Sequence, residues 1–354
     1  MEKRCQKATW IFLLSLTEAA NQSLCSPTQD KTNIFMTTKR IETIDIMKGL
    51  GIIMVMLGHQ DLPVSHLIYS FHMPLFFIIG GYLYKEKSVS LSLKNDFRRL
   101  IIPYVFASSL IIGNEMLMSV AKNESKYVYE ALIASIYGSG HSYHGALFSE
   151  IPSIGAIWFL MALFWTKNIF NILNAFLNNK CLFITCIVLS FAASYIDKYV
   201  INMPFDILPG LSAIIFYYIG FFLKDYVVRW YTIIFLVLMW GVAVNYSHLY
   251  MVRCDFGCYP IDILGACGGT VIIYFVSKYI HCISKLSYML SWLGVNSLAI
   301  LCFHSYKINH SIWQIMGVSN PYIVIFIKML FPILLTLFCC HIKVIRNLLN
   351  IKTI

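Results

Sequence analysis

The sequence has 354 residues, of which 58% are hydrophobic and 12% are charged, and its mean hydropathy is +0.70. Soluble globular proteins carry roughly 25% charged residues, so the composition excludes a soluble enzyme, a disordered protein and a secreted disulfide scaffold. The formal net charge is +10, but in so apolar a chain an excess of Lys and Arg first marks cytoplasmic loops. We therefore expect the lipid bilayer, and no nucleic acid, as a partner. The predicted fold class is all-α, a polytopic membrane helical bundle.

Apolar stretches of about 20 residues, the length that crosses roughly 30 Å of hydrocarbon, recur along the chain. They predict about ten transmembrane helices, over residues 44–62, 65–84, 100–121, 151–170, 181–197, 204–223, 231–247, 260–280, 287–306 and 322–342.

The basic residues favour one orientation of these helices. When both chain termini are placed in the cytoplasm, most Lys and Arg residues between the spans fall in inner loops, as the positive-inside rule requires. The sequence therefore predicts a multi-pass protein of the cell inner (cytoplasmic) membrane with cytoplasmic N- and C-termini. We expect a poorly ordered N-terminal extension over 1–39, a transmembrane domain over 40–345 and a cytoplasmic tail over 346–354.

The first span contains ionisable residues, which are costly in a membrane and mark candidate functional sites. Asp45 and Lys48 are three positions apart, so they can form an ion pair on one helix face. His59 follows Lys48 by eleven positions, which places it on the same face about 16 Å further along the axis at 1.5 Å per residue. One helix stripe thus carries an ion pair near its cytoplasmic end and an imidazole towards its outer end.

Two further histidines are predicted at a similar depth. His72 lies near the outer end of the second span, close to Pro74, which removes a helical hydrogen bond, and His304 lies near the outer end of the ninth span. A lone histidine in a membrane is commonly a hydrogen-bonded packing residue, and that alternative stays open here. Two histidines at matching depth on consecutive antiparallel helices favour a site.

Charged residues before and within later spans are the remaining candidates. Arg98 and Arg99 precede the third span; arginine forks bind phosphate in bidentate fashion, although positive-inside anchoring alone would also explain them. Glu115 and Asp206 are predicted near outer helix ends, where they either line an acceptor cavity or cap a helix. No metal is expected, because the histidines lack a ligand spacing such as HExxH.

In combination these residues resemble the acyltransferase 3 family of integral membrane acyltransferases. The motifs that carry the resemblance are residues 44–49 (IDIMKG), 58–59 (GH), 70–77 (SFHMPLFF), 80–82 (GGY), 98–104 (RRLIIPY), 157–160 (IWFL), 203–206 (MPFD), 216–220 (FYYIG), 294–297 (GVNS) and 303–304 (FH). The likeness covers about residues 40–305, and it is most similar to the fucose-4-O-acetylase-like branch of sugar O-acetyltransferases.

The resemblance implies an enzyme that moves an acyl group, commonly acetyl, from cytoplasmic acyl-CoA to a hydroxyl of a surface glycan or of its lipid-linked sugar precursor. This reaction is an O-acetylation in polysaccharide modification, with acetyl-CoA as donor substrate and no permanently bound cofactor. The family motif of a basic residue, ten residues and His falls on Lys48 and His59. Its arginine motif falls on Arg98 and Arg99, which are adjacent here, whereas the family often spaces them as RxxR.

These assignments suggest a mechanism. Lys48, Arg98 and Arg99 would bind the donor phosphates at the inner surface, and the pantetheine arm would rise between Gly-rich helices towards His59. His59 would act as general base on the acceptor hydroxyl, while His72 would stabilise the oxyanion or orient His59. A double displacement through an acyl-imidazole is an open alternative.

Two other function classes fit a polytopic chain with buried charges. A proton-coupled exporter or flippase of a sugar or lipid precursor would use Asp45, Lys48 and the histidines, but the later half of the sequence holds no second copy of these segments. A membrane scaffold without chemistry would leave the histidines and arginines unexplained.

Overall fold

The computed structural model describes residues 42–60, 62–143, 150–199, 203–225, 228–306 and 317–353. The predicted N-terminal extension over 1–39 lies outside these residues. The described residues are 78% helical with almost no sheet, which confirms the all-α class.

The helices of the first part of the chain are, in order, α1 (Glu42–Gly58), α2 (Ser65–Tyr69), α3 (His72–Tyr82), α4 (Val89–Asp96), α5 (Ile102–Lys122), α6 (Lys126–Tyr137), α7 (Trp158–Phe176) and α8 (Asn179–Tyr199). The helices of the second part are α9 (Ile207–Ser212), α10 (Ile214–Leu223), α11 (Trp230–Tyr246), α12 (Tyr259–His281), α13 (Ser284–Val295), α14 (Ser297–His304), α15 (Pro321–Cys339) and α16 (Lys343–Leu348). Between α11 and α12 lies a small hairpin of two antiparallel strands, β1 (Leu249–Tyr250) and β2 (Asp255–Phe256).

The lengths of the helices can be compared with the predicted number of transmembrane spans. In the described part of the chain, four helical segments are long and apolar enough to cross a membrane, and six are if each of two bent pairs forms one span. The bends are 47° between Pro204–Ser212 and α10, and 65° between α13 and α14. Each predicted stretch contains a helix, but these lengths do not confirm ten transmembrane spans.

The fourth predicted span differs most from the helix that is present. The stretch 151–170 was expected to be helical throughout, whereas α7 begins only at Trp158. Gly155 has a φ of +78°, a left-handed conformation that an α-helix does not contain. The residues before α7 are therefore not helical, and Gly155, Ala156 and Trp158 instead form part of the wall of a cavity.

Helix α1 is the central element of the bundle, in contact with α3, α12, α13, α14 and α15. Glycines permit its closest approach to a neighbour. An added Cβ at Gly49 would lie 2.1 Å from the carbonyl oxygen of Leu290 in α13, and one at Gly294 would lie 1.8 Å from that of Asp45. Small residues let membrane helices pack backbone to backbone, so this pair of glycines fixes α1 against α13.

A second pair of glycines permits the close packing of α3 against α10. A Cβ at Gly81 would lie 1.9 Å from the carbonyl oxygen of Tyr217, and one at Gly220 would lie 1.9 Å from that of Ile78. The two interfaces hold α1, which ends one residue before His59, and α3, which begins at His72, in fixed positions within the bundle.

Candidate active site

A cavity of about 810 Å³ runs through the bundle beside α1. Its size lies within the range of small-molecule sites, roughly 300–1,000 Å³. Both Lys48 and His59 line it. Lys48 lies in α1 and His59 directly follows the last residue of that helix, eleven positions or about 16 Å further along its axis. The cavity therefore joins the two ends of the stripe that the sequence predicted.

One end of the cavity, here called the basic end, is lined by five cationic side chains: Lys48, Lys85, Lys87, Arg99 and Lys167. Lys48 Nζ lies 3.5 Å from Asp45 Oδ1, so the predicted ion pair forms within α1. The ion pair of Lys167 with Asp96 joins α7 to α4. The cationic side chains at this end outnumber their carboxylate partners, Asp45 and Asp96. The excess positive charge suits the basic end to bind an anionic ligand such as a phosphate group.

The two adjacent arginines lie in a local irregularity of the chain. Between α4 and α5 the chain forms one turn of π-helix over Phe97–Ile101, a distortion that adds a residue to the turn and is frequent at functional sites. Both arginines are exposed, but Arg99 lines the cavity and Arg98 does not. The structure thus distinguishes two adjacent arginines that the sequence left equivalent.

The opposite end, here called the imidazole end, is lined by His59, Tyr69, His72 and Tyr250. The ring centroid of Tyr69 lies 6.3 Å from that of His59 and 5.1 Å from that of His72. His72 is 2% exposed, while His59 is exposed to the cavity. His59, directly after α1, and His72, at the start of α3, therefore reach one site, with Tyr69 between them.

Hydrogen bonds to the main chain fix the tautomer of both rings. His59 Nδ1 lies 2.7 Å from the carbonyl oxygen of Val55, and His72 Nδ1 lies 2.9 Å from that of Ile68. A carbonyl oxygen only accepts, so Nδ1 carries the hydrogen and donates it. In each neutral ring Nε2 then holds the lone pair, which is the form that a general base needs.

The candidate acceptor residues are not gathered in one place. His304 is buried, and its ring lies 5.3 Å from that of His59. Glu115, on α5, and Asp206, just before α9, are both buried but do not line the cavity. Asp206 Oδ2 lies close to Gly138, 2.9 Å from the position that a Cβ would take on that glycine. This oxygen has no hydrogen-bond partner among the described residues. The acceptor role of these three residues stays a prediction.

The comparison with known families decides the class of the protein. The chain matches the family model described as an acyltransferase domain over residues 41–342. The chain is a member of the acyltransferase 3 family. Its apolar helices make it a membrane acyltransferase. No curated protein and no solved structure matches the chain.

Some cavity residues of this acyltransferase were not predicted as site residues. Lys167 lies inside the predicted span 151–170, so the rule on ionisable residues in membranes that identified Lys48 applies to it equally. Asp96, its partner, is 71 positions away in sequence, and Tyr250 belongs to a hairpin that folds back over the cavity. No local sequence signal marks such long-range neighbours.

Proposed function

We propose that this acyltransferase moves an acetyl group from cytoplasmic acetyl-CoA to a hydroxyl of a surface glycan or of its lipid-linked sugar precursor. The observation that carries the proposal is that one cavity has cations at one end and histidines of fixed tautomer at the other. Family membership and the sequence resemblance to sugar O-acetyltransferases support it. The same membership argues against the exporter or flippase.

The donor would enter at the basic end. The nucleotide part of coenzyme A carries several phosphate charges and stays out of hydrocarbon, whereas its pantetheine arm is long and thin. Lys48, Arg99 and Lys167 would bind these phosphates, and the lining of the cavity by Arg99 but not by Arg98 supports Arg99 as the arginine involved. The arm would then extend along α1 and α3 and bring the thioester to His59.

The chemistry at the other end is a direct acyl transfer. His59 Nε2 removes the proton from the acceptor hydroxyl as its oxygen attacks the thioester carbonyl, which forms a tetrahedral oxyanion. Collapse of this intermediate breaks the carbon–sulfur bond, and the thiolate of coenzyme A takes the proton from the imidazolium. General-base catalysis of this kind contributes about 10²–10⁴-fold in rate.

The hydrogen bonding of His72 bears on its role. A neutral ring whose Nδ1 donates to Ile68 has only an acceptor at Nε2, so it cannot donate to an oxyanion. We propose instead that His72 accepts a hydrogen bond from a second hydroxyl of the acceptor, or from another group that positions the acceptor, while the reacting hydroxyl donates to His59.

The test incubates membranes containing the full chain with labelled acetyl-CoA and extracted glycan, and measures label in alkali-labile ester. His59→Gln should reduce ester formation by about 10²–10⁴-fold. The matched control is His66→Gln: His66 is exposed on α2, and its Nδ1 also lies 2.9 Å from a carbonyl oxygen, that of Pro63, but it does not line the cavity. Wild-type activity in His59→Gln would refute the base assignment, and no ester from the wild type would refute the reaction.

A further inference from the structure

A tyrosine on the β1–β2 hairpin is exposed at the imidazole end of the cavity. Tyr250 is 43% exposed, whereas its neighbours Leu249 and Met251 are each 3% exposed. The Tyr250 ring lines the cavity, and its centroid lies 6.2 Å from that of Tyr69. Tyr69 in turn neighbours His59 and His72, so Tyr250 is one aromatic ring away from the proposed base.

The hairpin that carries Tyr250 is firmly anchored. Leu249 pairs with Phe256, and Tyr250 pairs with Asp255. The Phe256 ring stacks on that of Phe216 in α10 at an interplanar angle of 12°. Ser194 of α8 donates a hydrogen bond to the carbonyl oxygen of Cys254, a residue that is itself buried. An exposed aromatic ring is thus held at a fixed place by a buried support.

A second ring from the start of the hairpin lies beside that of Tyr250. The centroid of His248 lies 5.5 Å from that of Tyr250, and His248 Nε2 lies 3.2 Å from Asp255 Oδ2. Rigid aromatic rings offer a large contact area at a low cost in conformational entropy. An aromatic face fixed in this way, yet left uncovered, is suited to bind a ligand rather than to fill the core.

We propose that Tyr250 is the stacking platform for the pyranose ring of the acceptor, an inference that rests on the proposed function. One face of a pyranose is made of C–H groups, and an aromatic face binds such a surface by apolar contact and weak C–H contacts to its electron-rich face. The hydroxyls project from the rim of the sugar. A pyranose on Tyr250 therefore directs rim hydroxyls past Tyr69 towards His59.

The platform predicts a preference for cyclic acceptors. The experiment uses the full chain in membranes with acetyl-CoA and compares methyl pyranosides with glycerol, an alcohol that has no ring. Tyr250→Ala should lower kcat/KM for the pyranosides about ten-fold, with kcat/KM for glycerol and the KM for acetyl-CoA changed less than about two-fold. Tyr250→Phe keeps the aromatic face and should retain the wild-type preference.

The control variant is Tyr246→Ala, since Tyr246 is 85% exposed at the end of α11 and does not line the cavity. This variant should leave kcat/KM for the pyranosides, kcat/KM for glycerol and the KM for acetyl-CoA unchanged. An unaltered pyranoside preference in Tyr250→Ala, or an equal loss with glycerol, would overturn the platform. Failure of the proposed function has a different signature, because the wild type would then form no acetyl ester with any acceptor.

Discussion

His59 Nδ1 lies 2.7 Å from the carbonyl oxygen of Val55, one helical turn earlier on α1. This bond orients the ring and leaves Nε2 as the basic nitrogen at the imidazole end of the cavity. His72 makes the equivalent bond to Ile68 on the neighbouring segment. His59 and His72, from different segments of the chain, thus each present their Nε2 atom to one site.

Substitutions of His72 should show whether this residue acts as a hydrogen-bond acceptor or only packs. We expect His72→Leu, which fills similar volume without a polar atom, to lower kcat about 10²-fold through loss of positioning. His72→Gln should retain more activity, because its side-chain amide oxygen still accepts a hydrogen bond. Steady-state kinetics with acetyl-CoA would measure this difference, and equal activities of the two variants would favour packing alone.

The two adjacent arginines should differ in their effect on donor binding. Loss of a hydrogen bond to a charged group costs about 1.5–3 kcal/mol, so Arg99→Ala should raise the KM for acetyl-CoA roughly 10–100-fold. Arg98→Ala should change this KM less than about two-fold, because Arg98 does not line the cavity. Kinetics at varied acetyl-CoA concentration would check both variants, and a larger effect of Arg98→Ala would contradict the assignment of Arg99 to donor binding.

The glycine contact between α3 and α10 should be essential for stability. In Gly220→Ala the new Cβ would lie 1.9 Å from the carbonyl oxygen of Ile78, so the helices must move apart. Overpacking of this kind costs about 1–3 kcal/mol, and we expect a lower midpoint of thermal unfolding in detergent. Gly241→Ala is the matched control, because a Cβ there has nothing within 4 Å. Similar midpoints for the two variants would show that the helices separate without cost.

The loop after α6 should make stability depend on pH. Burial and the charge of Arg253 lower the pKa of His141 from 6.5 to about 4. Between these two values the unfolded chain binds more protons than the folded chain, so stability is retained above pH 6.5 and falls as the pH drops towards about 4. Because His141 is only partly buried, the loss should be roughly 1–2 kcal/mol.

His141→Gln removes the titrating imidazole, so the stability of this variant should depend less on pH between 6.5 and about 4. Unfolding midpoints in detergent at pH 7 and pH 5 would measure it, with His66→Gln as the control for an exposed histidine. The same pH dependence in His141→Gln and in the wild type would assign the effect to other groups.

Much of the candidate site follows from α1 alone. The pairing of Asp45 with Lys48 and the shared face of Lys48 and His59 depend only on helical periodicity, which is a local property. The structure has both features. The depth at which His72 would meet His59 was also predictable, since it requires only that the chain turn back after α1.

Other parts of the site depend on packing that no local pattern records. Arg99 rather than Arg98 lines the cavity, both within a π-helical turn, and the contact of Lys167 with Asp96 joins residues far apart in sequence. Glu115 and Asp206 were grouped with His304 by predicted depth, but depth does not specify the side of a helix that faces the cavity. Only His304 lies beside His59.

Composition, apolar stretches and ordered motifs by themselves determined an all-α membrane acyltransferase, because hydropathy and motif spacing are properties of the chain before it folds. The tertiary structure decided where helices bend, which cations surround the basic end and that Tyr250 stands at the opposite end. These features arise from contacts between distant segments, and their geometry exists only once glycine-mediated helix packing and the anchored hairpin have brought those segments together.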